Sequence, residues 1–164
     1  MSSPPRISIG VPAYNSATTI GVSIESLLGQ SFGDFELIVS DNASTDSTRD
    51  IIERLVQQDR RIRYVRQPEN IGANRNYSYV AQVACGEYFK WASSSDWYAP
   101  SFLAKCLNSL ELNDDAVLAA PRTCLFAGDL ATATKYADDI EILDSSPAAR
   151  LKKLTSILRL NNAV

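Results

Sequence analysis

The sequence predicts an α/β fold with a mostly parallel central sheet flanked by helices, and three observations carry that prediction. Short β-rich apolar runs alternate with amphipathic helical patterns along most of the chain. Alternation at this spacing builds βαβ units with right-handed crossovers. Polar residues gather just after each strand-like run, at the sheet edge where parallel sheets bind their ligands. Finally, 164 residues with 45% hydrophobic and 21% charged content describe one globular domain able to bury a core.

The elements follow in order. "RISIGV" (6–11) is a compact β-rich run, and 16–30 is a helix with Ile20, Ile24, Leu27 and Leu28 on one face. "FELIVSD" (35–41) is the second strand. Residues 44–58 form a helix with Ser44 or Thr45 as N-cap and a stripe of Ile51, Ile52, Leu55 and Val56. "RIRYVRQ" (61–67) alternates like a half-exposed strand. Residues 72–85 are helical, with Gly86 placed to stop the helix. "EYFKWA" (87–92) is the fourth strand, and 100–112 is an amphipathic helix with Pro100 in its first turn. Residues 116–139 read as one or two strands with a polar turn near Gly128 and Asp129. The last pattern, 146–164, is a helix carrying Leu151, Leu154, Ile157 and Leu158 on one side.

Composition removes several classes of function. A net charge of -3 supplies no basic face for duplex nucleic acid. No apolar run approaches the roughly 20 residues that span a bilayer, and the start lacks a secretory pattern. A cytoplasmic location is therefore expected. The basic face of the last helix (Arg150, Lys152, Lys153, Arg159) admits peripheral contact at the inner face of the membrane, with a solvated face as the alternative. Cys85, Cys106 and Cys124 form neither a zinc pattern nor a disulfide framework and read as buried structural thiols. There is no histidine, so Ser-His-Asp and Cys-His nucleophiles and His-based metal sites are excluded.

Four strand ends hold the polar residues: 12–15, 40–46, the turn after 63–70, and 93–98. The first lacks G-x-G-x-x-G, and the chain has no G-x-x-x-x-G-K-[ST], which disfavours Rossmann dinucleotide and P-loop phosphate sites. An aromatic, Tyr14, stands there instead. An aromatic ring can stack on a base, and Asp41 on the neighbouring strand can accept a base N–H. Uracil offers an imide N–H, as do guanine and thymine, so Tyr14 with Asp41 makes a chemically sensible uridine-type pocket. Plain structural roles stand beside this reading. Asp41 could cap a helix or close an Asx-turn with Asn42, Tyr14 could simply pack, and Asp96 could be a solvated loop acid.

The stretches "ISIGVPAYNSATTIGVSIESLLGQSFGDFELIVSDNASTDST" and "ENIGANRNYSYVAQVACGEYFKWASSSDWYAP" resemble glycosyltransferase family 2, nearly continuously from Ile7 to about Pro100. The resemblance implies the GT-A fold, a nucleotide-diphosphate-sugar donor, a divalent cation (Mg2+ or Mn2+) and inverting transfer to an acceptor hydroxyl. Carried across, Pro12, Tyr14 and Asn15 line the base end of the donor site, and Asp41 accepts the imide proton. Asn42 lies in the same loop, and Arg75 takes the place of an arginine that contacts base or phosphate. Ser95 and Asp96 stand where the family usually shows two acids, with Asp96 the expected metal ligand and Ser95 the departure. Alternatively, Arg75 is an ordinary surface helix residue.

That departure is survivable, because magnesium is commonly held by one or two carboxylates plus substrate phosphates. Losing one charge-assisted contact costs about 1.5–3 kcal/mol, roughly one to two powers of ten in donor affinity. The expected organisation is a single GT-A domain over 1–164, C-terminally truncated, with a donor-binding core at about 6–112 and an incomplete acceptor half at 113–164. The general base, an Asp or Glu in the family's later segment, is expected beyond Val164. Asp114, Asp115, Asp138, Asp139 and Asp144 are acids to which no motif assigns that role. The expected partners are a UDP-sugar and an acceptor glycan or lipid-linked saccharide. An uncovered apolar face would admit homodimerisation. The expected role is synthesis of a surface polysaccharide or glycan. The alternatives are a catalytically incomplete nucleotide-sugar-binding module and a nucleotidyltransferase, the latter disfavoured by the missing phosphate loop.

Overall fold

"ISIGVPA" forms β1 (Ile7–Ala13), and all seven residues are buried, which requires cover on both faces of the strand. In the computed structural model, which describes residues 3–121, 123–125 and 133–135, that cover comes from helices on either side. Ile7, Ile9, Val11 and Ala13 point into the main core. There they meet Ile20, Ile24 and Leu27 of α1 (Ile20–Leu28) and Ile52 and Leu55 of α2 (Thr48–Gln58). The alternate residues Ser8, Gly10 and Pro12 face the other way. On that side α3 (Ala73–Gln82) presses so close that a Cβ at Gly10 would lie 2.6 Å from Val80.

β2 (Phe35–Asp41), β3 (Ile62–Arg66) and β4 (Tyr88–Trp91) complete a four-stranded sheet in the order β3-β2-β1-β4. All three pairings are parallel, as the alternation predicts. The chain steps outward from β1 through β2 to β3, then crosses back to place β4 on the other side of β1. The carboxyl ends of β1 and β4 therefore flank the point where the strand order reverses, the usual ligand crevice of such sheets. α4 (Phe102–Glu111) closes the main core with Phe102, Leu103 and Leu107. The chain divides into two compact units after Ala119. In the second, β5 (Cys124–Leu125) pairs antiparallel with β6 (Thr134–Lys135), in line with the strands read at 116–139. The turn at Gly128 and Asp129 and the helix at 146–164 lie outside the described residues. Among the described residues no helix is long and apolar enough to cross a membrane.

Several local readings are corrected. The α2 N-cap position is Ser47, not Ser44 or Thr45, because the Ser44 hydroxyl is taken by the Asn15 N–H and Thr45 bonds the Asn15 side chain. α3 ends at Gln82 with Val83 at its C-cap, so Gly86 does not stop the helix. Gly86 is there for close approach: its N–H donates to Ser8 Oγ at 2.8 Å, and a Cβ would lie 2.6 Å from the Ser8 backbone nitrogen. Pro100 precedes the α4 N-cap, Ser101, instead of standing inside the helix. The cysteines are not a buried set. Cys85 and Cys124 are exposed and Cys106 is half-buried, since Cys85 follows α3 at the amino edge of the sheet, with its thiol on Glu36 Oε1 at 3.1 Å.

Candidate functional site

The ends of β1 and β2 are in register, Ala13 beside Asp41, so the residues after them start level. Tyr14, 47% exposed, carries its ring out into solvent. Asn15 adopts φ 48, a left-handed conformation that asparagine tolerates, which turns the chain off the sheet. Its N–H donates to Ser44 Oγ (2.9 Å) and its Oδ1 accepts from Thr45 N (2.8 Å). Ser16 N donates to Thr48 Oγ1 (2.8 Å), and Ala17 N to Asp46 Oδ2 (3.1 Å). The loops after β1 and β2 are thereby stitched into one wall. Hydrogen bonds, first from Thr48, hold the Asp46 carboxyl below its usual range.

Asp41 is fully buried. Its Oδ1 accepts from Ser44 N at 2.9 Å, and its Oδ2 faces the Tyr64 hydroxyl at 3.1 Å and Arg66 Nε at 3.4 Å. Burial first, then the Asp41 charge, push the Tyr64 phenol upward, so it stays protonated and donates. Asn42 is buried too, and both ends of its amide are committed: Nδ2 donates to Asn70 Oδ1 and Oδ1 accepts from Ile71 N, each at 2.9 Å. Pro12 is buried inside β1 opposite Ser40. Arg75 is exposed on α3 and makes no hydrogen bond or ion pair among the described residues.

The loop after β4 joins the same edge. Ser16 Oγ and Ser94 Oγ are 2.9 Å apart, and Ser23 Oγ donates to the Ser93 carbonyl at 2.8 Å. Ser95 and Asp96 are exposed at its tip, with Ser95 Oγ 2.9 Å from Ser93 Oγ. The Tyr98 hydroxyl closes the loop by accepting from Ser93 N at 2.9 Å, and burial pushes that phenol up to about 12. Lys90 lies about 6 Å from the Tyr98 and Phe102 rings, and burial lowers its ammonium while the nearby Asp96 charge opposes the shift.

Tyr14, Asn15, Asp41, Ser95 and Asp96 thus belong to one carboxyl edge, arranged around the reversal of strand order. Pro12 and Asn42 lie beneath it as framework, and Arg75 stands out on α3. The sequence reading left Tyr64 and Arg66 without a role, although their position at the end of an alternating strand was the available signal. The edge offers an exposed ring, a buried carboxylate with an arginine beside it, and an exposed carboxylate among hydroxyls. Chemically, such a ring can stack on a planar group, and such carboxylates can accept an N–H or hold a cation.

The family model described as glycosyl transferase family 2 matches residues 8–151. The chain is 30% identical over 135 residues to the putative glycosyltransferase EpsH of Bacillus subtilis, covering 82% of this chain and 37% of that protein. It is 33% identical over 93 residues to the GalNAc(5)-diNAcBac-PP-undecaprenol beta-1,3-glucosyltransferase of Campylobacter jejuni, covering 56% and 30% respectively. Among solved structures, S. aureus TarS 1-349 in complex with UDP-GlcNAc superposes with a TM-score of 0.61 at 26% identity, over 65% of this chain and 31% of that one. The chain spans less than half the length of these relatives. With the family model matching most of its residues and its parallel sheet matching GT-A neighbours, the chain belongs to glycosyltransferase family 2.

Proposed function

We propose that this chain holds the donor site of an inverting glycosyltransferase that takes a UDP-sugar and passes the sugar to an acceptor hydroxyl in surface polysaccharide or lipid-linked glycan assembly, at a cytoplasmic location. The observation that carries the reading is the convergence of Tyr14, Asp41 and Asp96 on one sheet edge. The TarS complex with UDP and the undecaprenol-linked substrate in the Campylobacter enzyme's name support the donor and acceptor classes.

Tyr14 stacks on the uracil, and Asp41 accepts its imide N–H once the Arg66 guanidinium, with its side chain 38% exposed, swings off the carboxylate. Arg75, without an ion-pair partner among the described residues, is a counter-charge for the diphosphate. Ser95 offers a hydroxyl to the ribose. Among the described residues no three His, Cys, Asp or Glu side chains cluster as a ready-made metal cage. A lone exposed carboxylate does fit Mg2+ or Mn2+ that arrives with a diphosphate, because such ions accept one protein carboxylate when phosphates and water fill the other positions. Asp96 would hold that ion, which supplies Lewis-acid neutralisation of the departing diphosphate.

The test is calorimetric titration of UDP, and of GDP as control, with and without Mn2+. UDP is expected to bind more tightly with the metal and to exceed GDP. Asp96→Ala is expected to remove the metal-dependent part, about one to two powers of ten, while leaving metal-free UDP binding in place. UDP affinity indifferent to Mn2+ in the unsubstituted chain would sink the metal assignment, and equal affinity for GDP would sink the uridine pocket.

A further inference from the structure

Along α1 and just past its C-cap Gly29, three polar side chains point the same way in a segment otherwise built to pack: Ser23 and Ser26 in the helix, and Gln30 after it. The spacing of three and four residues puts them on one face, beside the apolar Ile24 and Leu27. Ser23 and Gln30 are 1% and 7% exposed, positions where an apolar side chain would be the cheaper choice unless every polar atom is bonded. Apart from two local bonds, Ser26 Oγ to the Ser23 carbonyl at 2.8 Å and Gln30 Nε2 to the Ser26 carbonyl at 3.1 Å, their partners lie in one segment, the loop that carries Asp96 and the start of α4.

Ser23 Oγ donates to the Ser93 carbonyl at 2.8 Å, where the loop leaves β4. Ser26 Oγ accepts from Tyr98 N at 3.1 Å. Gln30 Nε2 donates to the Ala99 carbonyl at 2.8 Å, and its Oε1 accepts from Leu103 N at 3.0 Å. The loop is thus pinned at its entry and at its exit, and the Tyr98 hydroxyl ties exit to entry through Ser93 N. Residues 94–97, with Asp96 among them, form the short span between these pins, tied to the Tyr14 loop through Ser94 Oγ and Ser16 Oγ, 2.9 Å apart.

We propose that Ser23, Ser26 and Gln30 are positioning residues that set where the Asp96 carboxylate stands, and so govern cation-dependent donor binding. The proposal rests on the donor-site reading above. None of the three reaches the sheet edge itself. Their action runs through the loop backbone, as the outer partners of a metal ligand do. Because α1 also follows directly from the Tyr14 loop, one rigid helix references the base end and the cation end of the site to each other.

UDP titrations with and without Mn2+ on the full chain carrying Ser23→Ala, Ser26→Ala or Gln30→Met test this, with urea unfolding run alongside. The expected result is metal-free UDP affinity unchanged and the Mn2+-dependent gain reduced about tenfold. A merely structural role would lower the urea midpoint and move both affinities together or neither. Should Gln30→Met fail to fold, the two serine variants, each lacking one hydroxyl, carry the test. Folded variants that keep the whole Mn2+ gain overturn this inference alone. No Mn2+ gain in the unsubstituted chain overturns the metal site and this inference together.

Discussion

Asp41→Ala is expected to destabilise the fold by about 3 kcal/mol and to abolish selective UDP binding. The carboxylate is fully buried and serves three donors: Ser44 N, the Tyr64 hydroxyl and Arg66 Nε. Hydrogen bonds to a charged group contribute about 1.5–3 kcal/mol each, and donors left buried without an acceptor add to the loss. Arg66 is discounted, because its guanidinium is partly exposed and water can replace the carboxylate. Ser44 N and Tyr64 carry most of the cost. Asp41→Asn keeps an acceptor oxygen for Ser44 N and should fall about halfway, by the same accounting. Urea unfolding with an unchanged m-value reads the difference. A loss under about 1 kcal/mol would mean that the Asp41 contacts do not hold the loop.

Gly86→Ala is the second large effect, again about 3 kcal/mol, with no direct bearing on the donor edge. The added Cβ would lie 2.6 Å from Ser8 N and 2.8 Å from Ile7 C. Both atoms are backbone of β1, the strand paired on each side by β2 and β4, so neither can step aside as a flexible side chain would. Shifting Gly86 instead strains its N–H bond to Ser8 Oγ and, through it, the link to Glu36 Oε1 at 2.6 Å. Gly33→Ala serves as control, because nothing lies within 4 Å of its Cβ position. That change should be neutral or slightly stabilising through the unfolded chain. Equal unfolding midpoints for the two variants would refute the close-approach account.

Much of the framework was legible because it is written in local periodicity. The apolar stripes Ile20-Ile24-Leu27 and Ile52-Leu55 repeat at helical spacing and are buried as expected. The β-rich runs at 6–11 and 35–41 became the two central strands of the sheet, buried except at Arg6 and Glu36, which are half-buried. That Tyr14, Asp41 and Asp96 stand at strand ends on one edge of the sheet was legible as well, because parallel sheets present their strand ends together. The misreadings share one cause. Ser44 and Thr45 look like helix caps from their neighbours alone, but their partner is Asn15, 29 or 30 residues earlier. Gly86 looks like a helix stop, but what it meets is the backbone near Ser8, 78 residues away.

From the chain alone came the number, type and order of elements over residues 6–112, since turn chemistry and apolar period act between residues a few positions apart. Which loops share a wall was decided only in three dimensions. A crossover from β3 can deliver β4 to either edge of the sheet, and its placement beside β1 brings the loop that carries Asp96 against the loop after Tyr14, through Ser94 and Ser16. The partners of buried polar groups were decided there too, since Ser23 and Ser93 lie 70 residues apart and only folding makes one the nearest acceptor of the other.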